Sequence, residues 1–498
     1  MLDPEVCYRA LQARDERFDG RFFVGVVTTG IYCRPVCPAG PAKATNCRFF
    51  PSAAAAQKGG FRPCWRCRPE TAPDSGAWRA TTSTVARGMR LIAEGALDGD
   101  RASVDRLAER LGIGERQLRR LFQRAVGASP IAVAQTRRVL LAKQLIQETR
   151  LPMSEVAFAS GFGSVRRFNE VFRTLFGRPP SELRRERCVE VPMASEPFTV
   201  LLRYRPPYDF DGILDHLRAR AIDGVEIVTT TTYRRTIEVE GVLGALAVSH
   251  VPERHSVAAS FRLASLTGLW SLIERVRRLF DLDADVQPIV NHLRSDAVLA
   301  PAVAARPGLR VVGCWDRFEL AVRAVLGQQV TVAAARRLGG ALVAQCGAVM
   351  AASRSGDASL THGFPDAAAV AAAELERLPM PRARARALRA IAETALSDSS
   401  FFQPLGTVEQ TVARLAEVPG IGDWTAHYIA LRAAREPDAF PASDVALLRS
   451  AARLSRDDDL SSRSALADRA ARWRPWRGYA AQHLWAADAA FQLSRVAS

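Results

Sequence analysis

Two copies of one apolar–polar pattern stand out between residues 104 and 176. The first is Val104-Asp105-Arg106-Leu107-Ala108-Glu109-Arg110-Leu111-Gly112-Ile113, and the helix after it carries Arg116, Arg119, Arg120 and Arg124. The second starts at Met153 and runs through Val156-Ala157-Phe158-Ala159-Ser160-Gly161-Phe162-Gly163-Ser164. Its next helix sets Arg166, Arg167, Asn169 and Arg173 opposite Phe168 and Phe172. Each copy reads as helix, glycine turn, helix, with Ser164 placed to cap the second helix of its pair. A long helix around Arg137 to Thr149 joins the copies. Further on the pattern becomes β-type at Phe198–Tyr204, Val225–Thr232, Tyr233–Glu240 and Leu243–Val248, with a helical stretch from Ile213 to Ala221 between them. The remainder is mostly helical. Late in it, Pro419-Gly420-Ile421-Gly422 separates two helical patterns. Glycines let a backbone approach another chain closely, and the helix through Thr425 starts with outward N–H groups suited to a phosphate. An ordinary αα-turn fits the same residues, so the turn alone leaves both readings open.

A Pro/Ser/Thr/Gly-rich stretch at 68–83 and a connector at 185–197, where Arg184-Arg185-Glu186-Arg187 leads to Pro192, divide the chain. The expected segments are 1–72, 80–188, 196–285 and 286–498. At 498 residues and 48% hydrophobic content the chain can build several cores. It has no apolar run of about 18 residues for a membrane span. The acidic start Met1-Leu2-Asp3-Pro4-Glu5 lacks a signal-peptide pattern, so a cytoplasmic, bacterial, nucleoid-associated protein is expected. The net charge of +16 is uneven. Residues 1–190 hold 32 Lys and Arg against 19 Asp and Glu, and the remainder 36 against 33. Arg-rich composition explains the scarcity of lysine, but not this imbalance, which points to a polyanion partner.

Five of the nine cysteines lie between residues 33 and 67. Cys33-Arg34-Pro35-Val36-Cys37 and Cys64-Trp65-Arg66-Cys67 form two close pairs across 26 residues. Cys33, Cys37, Cys64 and Cys67 are therefore expected to hold one Zn²⁺ tetrahedrally, and Cys47 to be a small core residue. Four thiolates around Zn²⁺ leave a net −2. That charge makes a sulfur nucleophilic and repels DNA phosphate. Methylating one sulfur would lower it to −1 and raise DNA affinity. The residues alone favour a purely structural zinc site. However, Thr28-Thr29-Gly30-Ile31-Tyr32-Cys33-Arg34-Pro35 and Gly60-Phe61-Arg62-Pro63-Cys64-Trp65-Arg66-Cys67-Arg68-Pro69 resemble the Ada-type methylphosphotriester-accepting domain. The resemblance implies Cys33 as methyl acceptor.

The Phe-x-x-x-Phe spacing and Gly177-Arg178-Pro179-Pro180 resemble an AraC-type DNA-binding domain, whose two units suit successive major-groove segments. Arg119, Arg166 and Arg167 are its candidate DNA contacts, and RNA polymerase is an expected partner. Gly114 stands where that family has a capping Ser or Thr, which predicts a frayed first recognition helix. From residue 198 to 495 the chain resembles the AlkA family of 3-methyladenine DNA glycosylase II. The resemblance is carried by Arg205-Pro206-Pro207-Tyr208-Asp209, Arg278-Leu279-Phe280-Asp281-Leu282, Arg306-Pro307-Gly308-Leu309-Arg310, Val325-Leu326-Gly327-Gln328-Gln329-Val330 and Arg472-Trp473-Arg474-Pro475-Trp476-Arg477-Gly478-Tyr479. Only the polar stretch 351–365 looks family-variable.

The implied fold is multidomain and mainly α with α+β parts. It comprises a small α/β zinc domain, a tandem helix-turn-helix domain, a small TBP-like α/β subdomain and a helical helix-hairpin-helix glycosylase domain. The resemblance makes Gly420, Gly422 and Thr425 the hairpin that grips DNA and Asp444 the catalytic carboxylate. It makes Trp424, Tyr428 and Trp485 the base pocket. Gln329 stands where relatives have a leucine that fills the gap left by the flipped base. N3- or N7-alkylated purines are cationic and leave readily, so the enzyme must stabilise an oxocarbenium-like sugar and supply water, and an aromatic pocket suits such a base. Related lyases carry a lysine at the position of Trp424, and Lys143 is the last lysine here. A monofunctional hydrolase without an iron–sulfur cluster, monomeric and acting on double-stranded DNA, is expected. The competing readings are a regulator whose glycosylase fold only adds DNA affinity, and a glycosylase whose N-terminal half only targets it to DNA.

Overall fold

The computed structural model describes residues 3–72, 84–98, 103–149, 151–185, 197–266, 268–351, 354, 356–398, 400–405, 407–455 and 458–497. Most of the linker at 68–83, nearly all of the connector at 185–197, and Cys188 lie outside them. The chain forms two compact units. One comprises Met1–Arg205, Val239–Val242 and Val251–Glu274. The other comprises Pro206–Glu238, Leu243–His250 and Arg275–Ser498.

The first unit opens with a four-stranded sheet. Its strands are β1 (Phe23–Val26), β2 (Ile31–Cys33), β3 (Cys47–Phe50) and β4 (Arg62–Pro63), in the order β3-β1-β2-β4. β1 pairs antiparallel with both β2 and β3, whereas β2 and β4 run parallel with Tyr32 opposite Pro63. That pairing brings Cys33, at the end of β2, beside Cys64, which follows β4. The Cys64 N–H donates to Tyr32 O at 2.9 Å. Phe23, Tyr32, Ala56 and Phe61 form the small core beneath. A side chain on Gly25 would collide with Phe50 and Phe61. Cys47 is only half-buried, at the outer strand β3, rather than a core residue. It is Cys7, 1% exposed, that packs with Ala10 and Phe22.

Helices Val104–Arg110 and Glu115–Val126 form the first helical pair, and Met153–Ala159 and Val165–Phe176 the second. Leu118, Phe122, Phe168 and Phe172 are fully buried, while the arginines expected to face DNA are exposed. Ser164 caps its helix, its side chain accepting from the Arg167 N–H. Gly114 offers no such bond. The helix after it nevertheless starts at Glu115 and spans twelve residues, as many as its capped counterpart. The buried Leu118–Phe122–Val126 stripe holds the first turn without a cap, so the expected fraying is not seen. The joining helix is longer than its pattern suggested, Pro130–Glu148, and starts at the capping Ser129. Arg137 and Arg138 on it pair with Asp98.

Lys143 on this joining helix is completely buried. Its ammonium lies 2.7 Å from Glu70 and 4.7 Å from the centre of the Trp65 ring. Trp65 sits between the paired cysteines Cys64 and Cys67, and it also meets Phe176 at the end of the helix Val165–Phe176, 5.5 Å away. The strands β5 (Phe198–Arg203) and β9 (Ser256–Arg262) pair antiparallel in the same unit, Leu201 opposite Ala258. β9 has no counterpart among the expected strands. Its alternation of buried Val257, Ala259 and Phe261 was available as a signal.

In the second unit, β6 (Glu226–Val228), β7 (Thr232–Val239) and most of β8 (Val242–Val251) follow the helix Phe210–Arg220, in the sheet order β8-β7-β6. The expected variable loop is tied down where it is described, Thr361 N–H donating to Gly224 O at 2.8 Å. The rest is helical. Val408–Ala416 begins with a capping box formed by Thr407 and Gln410. Asp423–Arg432, Val445–Ser455 and the long Arg477–Ala497 carry the site described below.

Replacing Lys143 by Met should leave buried Glu70 with Arg68 as its remaining partner, at 3.4 Å. We expect a loss of about 1.5–3 kcal/mol, read as a lowered denaturant midpoint of the first unit. In the second unit, burial lowers the pKa of His483 to about 4, so its stabilising contribution is present above the unfolded value near 6.5 and is lost as pH falls towards 4. His483→Leu should flatten that acid limb in urea titrations between those pH values.

Candidate functional site

Two groupings of polar residues carry chemistry. In the first unit the Sγ atoms of Cys33, Cys37, Cys64 and Cys67 lie within 4.8 Å of one another. Cys33 as a residue is half-buried and the other three are buried, while the ligand positions of all four are buried. Backbone N–H groups of Arg66 and Arg34 each donate to a sulfur, of Cys64 and Cys67 respectively, at 3.3 Å. Hydrogen bonds from Cys37, then Cys64 and Cys67, push the Cys33 thiol up, whereas those from Cys33 and Cys37 push Cys64 down. The all-thiolate donor set and its packing fit tetrahedral Zn²⁺. Arg34, 2% exposed, stands next to Cys33. It pairs with Asp19 and donates to Cys67 O and Thr71 Oγ1 at 3.0 and 2.9 Å. These bonds fasten the two cysteine pairs to each other.

Arg119, Arg166 and Arg167 also belong to the first unit. Their side chains are exposed on the two twelve-residue helices. Among the described residues Arg119 and Arg167 are each paired only with a carboxylate of their own helix, Glu115 and Glu170. Such exposed pairs contribute little, so these guanidiniums can be redirected to phosphate or base edges.

The second grouping lies in the second unit. The backbone turns between helices Val408–Ala416 and Asp423–Arg432, with Gly420 at φ +89°. A Cβ there would run into Ala387, so glycine is required twice over. Gly422 is the exposed N-cap and supplies no side-chain bond, which leaves the first-turn N–H groups to an outside partner. Thr425 is buried. Its hydroxyl and Gly420 O accept from Gln328 Nε2 at 3.0 and 2.8 Å, and Arg384 donates to Gln328 O. Gln328 thus splints the hairpin to the neighbouring turn. Sequence reasoning singled out only its neighbour Gln329, which is exposed and held at φ +54°. Exposed Val330 and Val332 follow it.

Asp444 lies at the start of the helix Val445–Ser455. Its Oδ1 accepts from the N–H groups of Ala446 and Leu447 at 2.9 and 3.1 Å. Trp485 Nε1 donates to the same oxygen at 3.1 Å and Trp424 Nε1 to Oδ2 at 2.8 Å. Four N–H donors therefore orient one half-exposed carboxylate. Trp424 and Tyr428, one helical turn apart, stack at 5.2 Å and 16°. Trp485 meets Tyr428 edge-on at 6.3 Å. All four expected residues thus meet in one cluster. A fifth was not foreseen: Arg432, 2% exposed, lies 5.0 Å from the Tyr428 ring centre and 5.2 Å from that of Trp485. Burial alone would raise the Tyr428 phenol, but Arg432 and Arg220 outweigh it and hold the group below its usual value. The i, i+4, i+8 spacing of Trp424, Tyr428 and Arg432 was the available signal.

Four family descriptions match successive parts of the chain. They are the metal binding domain of Ada over residues 6–70, a helix-turn-helix domain over 107–186, the AlkA N-terminal domain over 199–316, and the HhH-GPD superfamily base excision DNA repair protein over 322–475. The chain is 44% identical over 487 residues to a "Probable bifunctional transcriptional activator/DNA repair enzyme AlkA" of Mycobacterium tuberculosis, covering 97% of this chain and 96% of the relative. It is 36% identical over 287 residues to DNA-3-methyladenine glycosylase 2 of Escherichia coli, covering 57% of this chain and 95% of that protein. Among solved structures, a 3-methyladenine DNA-glycosylase from Archaeoglobus fulgidus superposes with a TM-score of 0.52 at 19% identity, covering 59% of this chain and 99% of the other, a likeness of fold. With both the metal-binding and the glycosylase parts matched and nearly the whole length aligned, the chain belongs to the family of bifunctional transcriptional activator/DNA repair enzyme AlkA proteins.

Proposed function

We propose that this protein repairs alkylated DNA and governs the response to it. Its second unit excises alkylated purines of the 3-methyladenine and 7-methylguanine type by hydrolysis, and its first unit senses methylphosphotriesters and regulates transcription. The observation that carries the glycosylase reading is the clasp of Asp444 by two pocket indoles. A fold kept only for DNA affinity has no need of a carboxylate held by four donors inside an aromatic cluster.

In this reading the outward N–H groups after Gly420 and Gly422 take a DNA phosphate beside the lesion, and Thr425, through Gln328, keeps the hairpin in register. The damaged nucleotide is flipped out, and Gln329 with its exposed neighbours Val330 and Val332 enters the gap. The base lies among Trp424, Tyr428 and Trp485. The glycosidic bond breaks with its electron pair going to the base. Asp444 faces the sugar, stabilises the positive charge that develops at C1′ and orients the water that adds there. The water's remaining proton is released. Trp424 has no amine to form a Schiff base, which makes the enzyme a monofunctional hydrolase without lyase activity.

In the first unit Cys33, Cys37, Cys64 and Cys67 would hold one Zn²⁺. The bound ion would keep the four sulfurs ionised and leave the site at a net −2. Cys33 is the half-buried one, and the backbone N–H bonds fall on Cys64 and Cys67, drawing electron density from those two. Cys33 Sγ attacks the methyl carbon of a DNA methylphosphotriester, the carbon–oxygen bond breaks, and an ordinary phosphodiester anion leaves. The site's charge falls to −1, DNA phosphate is repelled less, and Arg119, Arg166 and Arg167 engage promoter DNA in successive major-groove segments. RNA polymerase is the partner of the resulting complex, which acts as a monomer in the bacterial cytoplasm. Among the described residues no helix is long and apolar enough to cross a membrane.

Release of free 3-methyladenine from methylated DNA tests the first activity. Asp444→Asn should reduce it by at least about a hundredfold, and equal activity in the two proteins would remove Asp444 from the mechanism. Incubation with DNA carrying a methylphosphotriester should add one methyl group, located by mass spectrometry on Cys33. A methyl found elsewhere, or none, would return the zinc site to a structural role.

A further inference from the structure

Residues 199–316, which match the AlkA N-terminal domain, do not all lie in the second unit. Residues 199–205 and 251–274 belong to the first, with the four cysteines. There β5 pairs with β9, Gln144 on the joining helix donates to Leu201 O at 3.4 Å, and Trp270 Nε1 donates to Ala93 O. Arg205 stands two residues past β5 and directly before Pro206, which favours an extended backbone for it.

Arg205 is buried. Its Nε and Nη2 both donate to Asp19 O, at 3.2 and 2.7 Å. The carboxylate of Asp19, also buried, accepts from Arg34: Nε donates to Oδ1 at 2.7 Å and Nη2 to Oδ2. Arg34 follows Cys33 and reaches Cys67 twice. Its N–H donates to the sulfur at 3.3 Å and its Nη1 to the carbonyl at 3.0 Å. Arg205, Asp19, Arg34 and Cys67 therefore form one buried series of hydrogen bonds that ends on a sulfur. With water excluded, a partner lost from the series is not replaced by solvent.

We infer that Arg205, carried by the segment that matches the AlkA N-terminal domain, is a positioning residue of the methyl-acceptor cluster: by fixing Asp19 it fixes Arg34, whose N–H bond restrains Cys67 and leaves Cys33 the nucleophile. The inference rests on the reading of Cys33 as acceptor. A thiolate that accepts an N–H bond is stabilised by it and attacks carbon more slowly. The Arg34 N–H places that load on Cys67. Without Arg205 the Asp19 carbonyl loses two donors, and the turn that carries it relaxes towards water. The carboxylate then leaves Arg34, and the bond from the Arg34 N–H to Cys67 lengthens. Cys67 regains its nucleophilicity and competes with Cys33 for a methyl group.

The test uses the full chain loaded with Zn²⁺ and treated with iodomethane, a methyl donor small enough to reach a buried sulfur. The thiolate attacks the methyl carbon, the carbon–iodine bond breaks and iodide leaves. Mass spectrometry gives the ratio of methyl on Cys33 to methyl on Cys67. Arg205→Gln should lower that ratio about tenfold, the worth of one hydrogen bond to a charged sulfur. Arg205→Lys, which keeps a cationic donor, should hold it within about threefold of wild type. Deuterium exchange of the Arg34 amide should quicken about tenfold in Arg205→Gln, while that of the Phe122 amide in the same unit stays unchanged. Asp19→Asn breaks the series one link later and should lower the ratio in the same direction, so the test survives if Arg205→Gln does not fold. An unchanged ratio in either folded variant, an Arg34 amide no faster than in wild type, or methylation rising alike on all four cysteines would overturn the inference and leave Arg205 a fastener of β5. Failure of wild-type Cys33 to take a methyl group from methylphosphotriester DNA would withdraw the acceptor reading instead.

Discussion

The glycosylase half depends on one carboxylate being gripped from several directions. Asp444 takes two backbone N–H bonds from its own helix and one indole N–H from each of two other helices. A carboxylate with four donors has almost no rotational freedom. The same four bonds set the rings, because an indole that donates along its N–H must present its face in a defined direction. The carboxylate and the aromatic walls are thus positioned by one another. Arg432 completes the arrangement from behind, fastening to Gln482 the helix on which Trp485 stands.

The zinc half shows the same economy of means with a different chemistry. The parallel pairing of β2 with β4 places Cys33 beside Cys64, and Arg34 links the segments bearing the two cysteine pairs. Trp65, enclosed between two of the cysteines, also touches Lys143 on the joining helix and Phe176 on the second recognition helix. The buried Lys143–Glu70 pair then holds the joining helix to the segment just after Cys67. The four-cysteine cluster, the helix Val165–Phe176 and the helix between the two copies therefore share one small contact region within the first unit.

Much of the fold was legible because its signals are local. The two helical pairs, the glycine turn between Val418 and Asp423 and the paired cysteines are patterns of spacing within about ten residues. Strand β9 was legible in principle, since Val257, Ala259 and Phe261 alternate, but its small and polar residues resemble a loop until β5 is placed beside it. The behaviour of Gly114 was misjudged for the opposite reason. A missing cap is a local deficit, and the buried stripe of the helix that follows compensates for it.

For the sites, the sequence by itself determined which residues are available: four cysteines in two close pairs, a glycine turn and a carboxylate about twenty residues after it. That the carboxylate is catalytic, and that tryptophan stands where a lysine would make a lyase, is what the family resemblance implies. Only the tertiary structure decided which groups act on one another. Gln328 rather than Gln329 splints the hairpin, the last lysine of the chain is sealed in a core, and an arginine that reads as a helix-end charge lies buried behind the pocket. The physical reason is the same in each case. A long polar side chain can reach water or a buried partner from the same backbone position, and which it does is set by the surfaces that close around it.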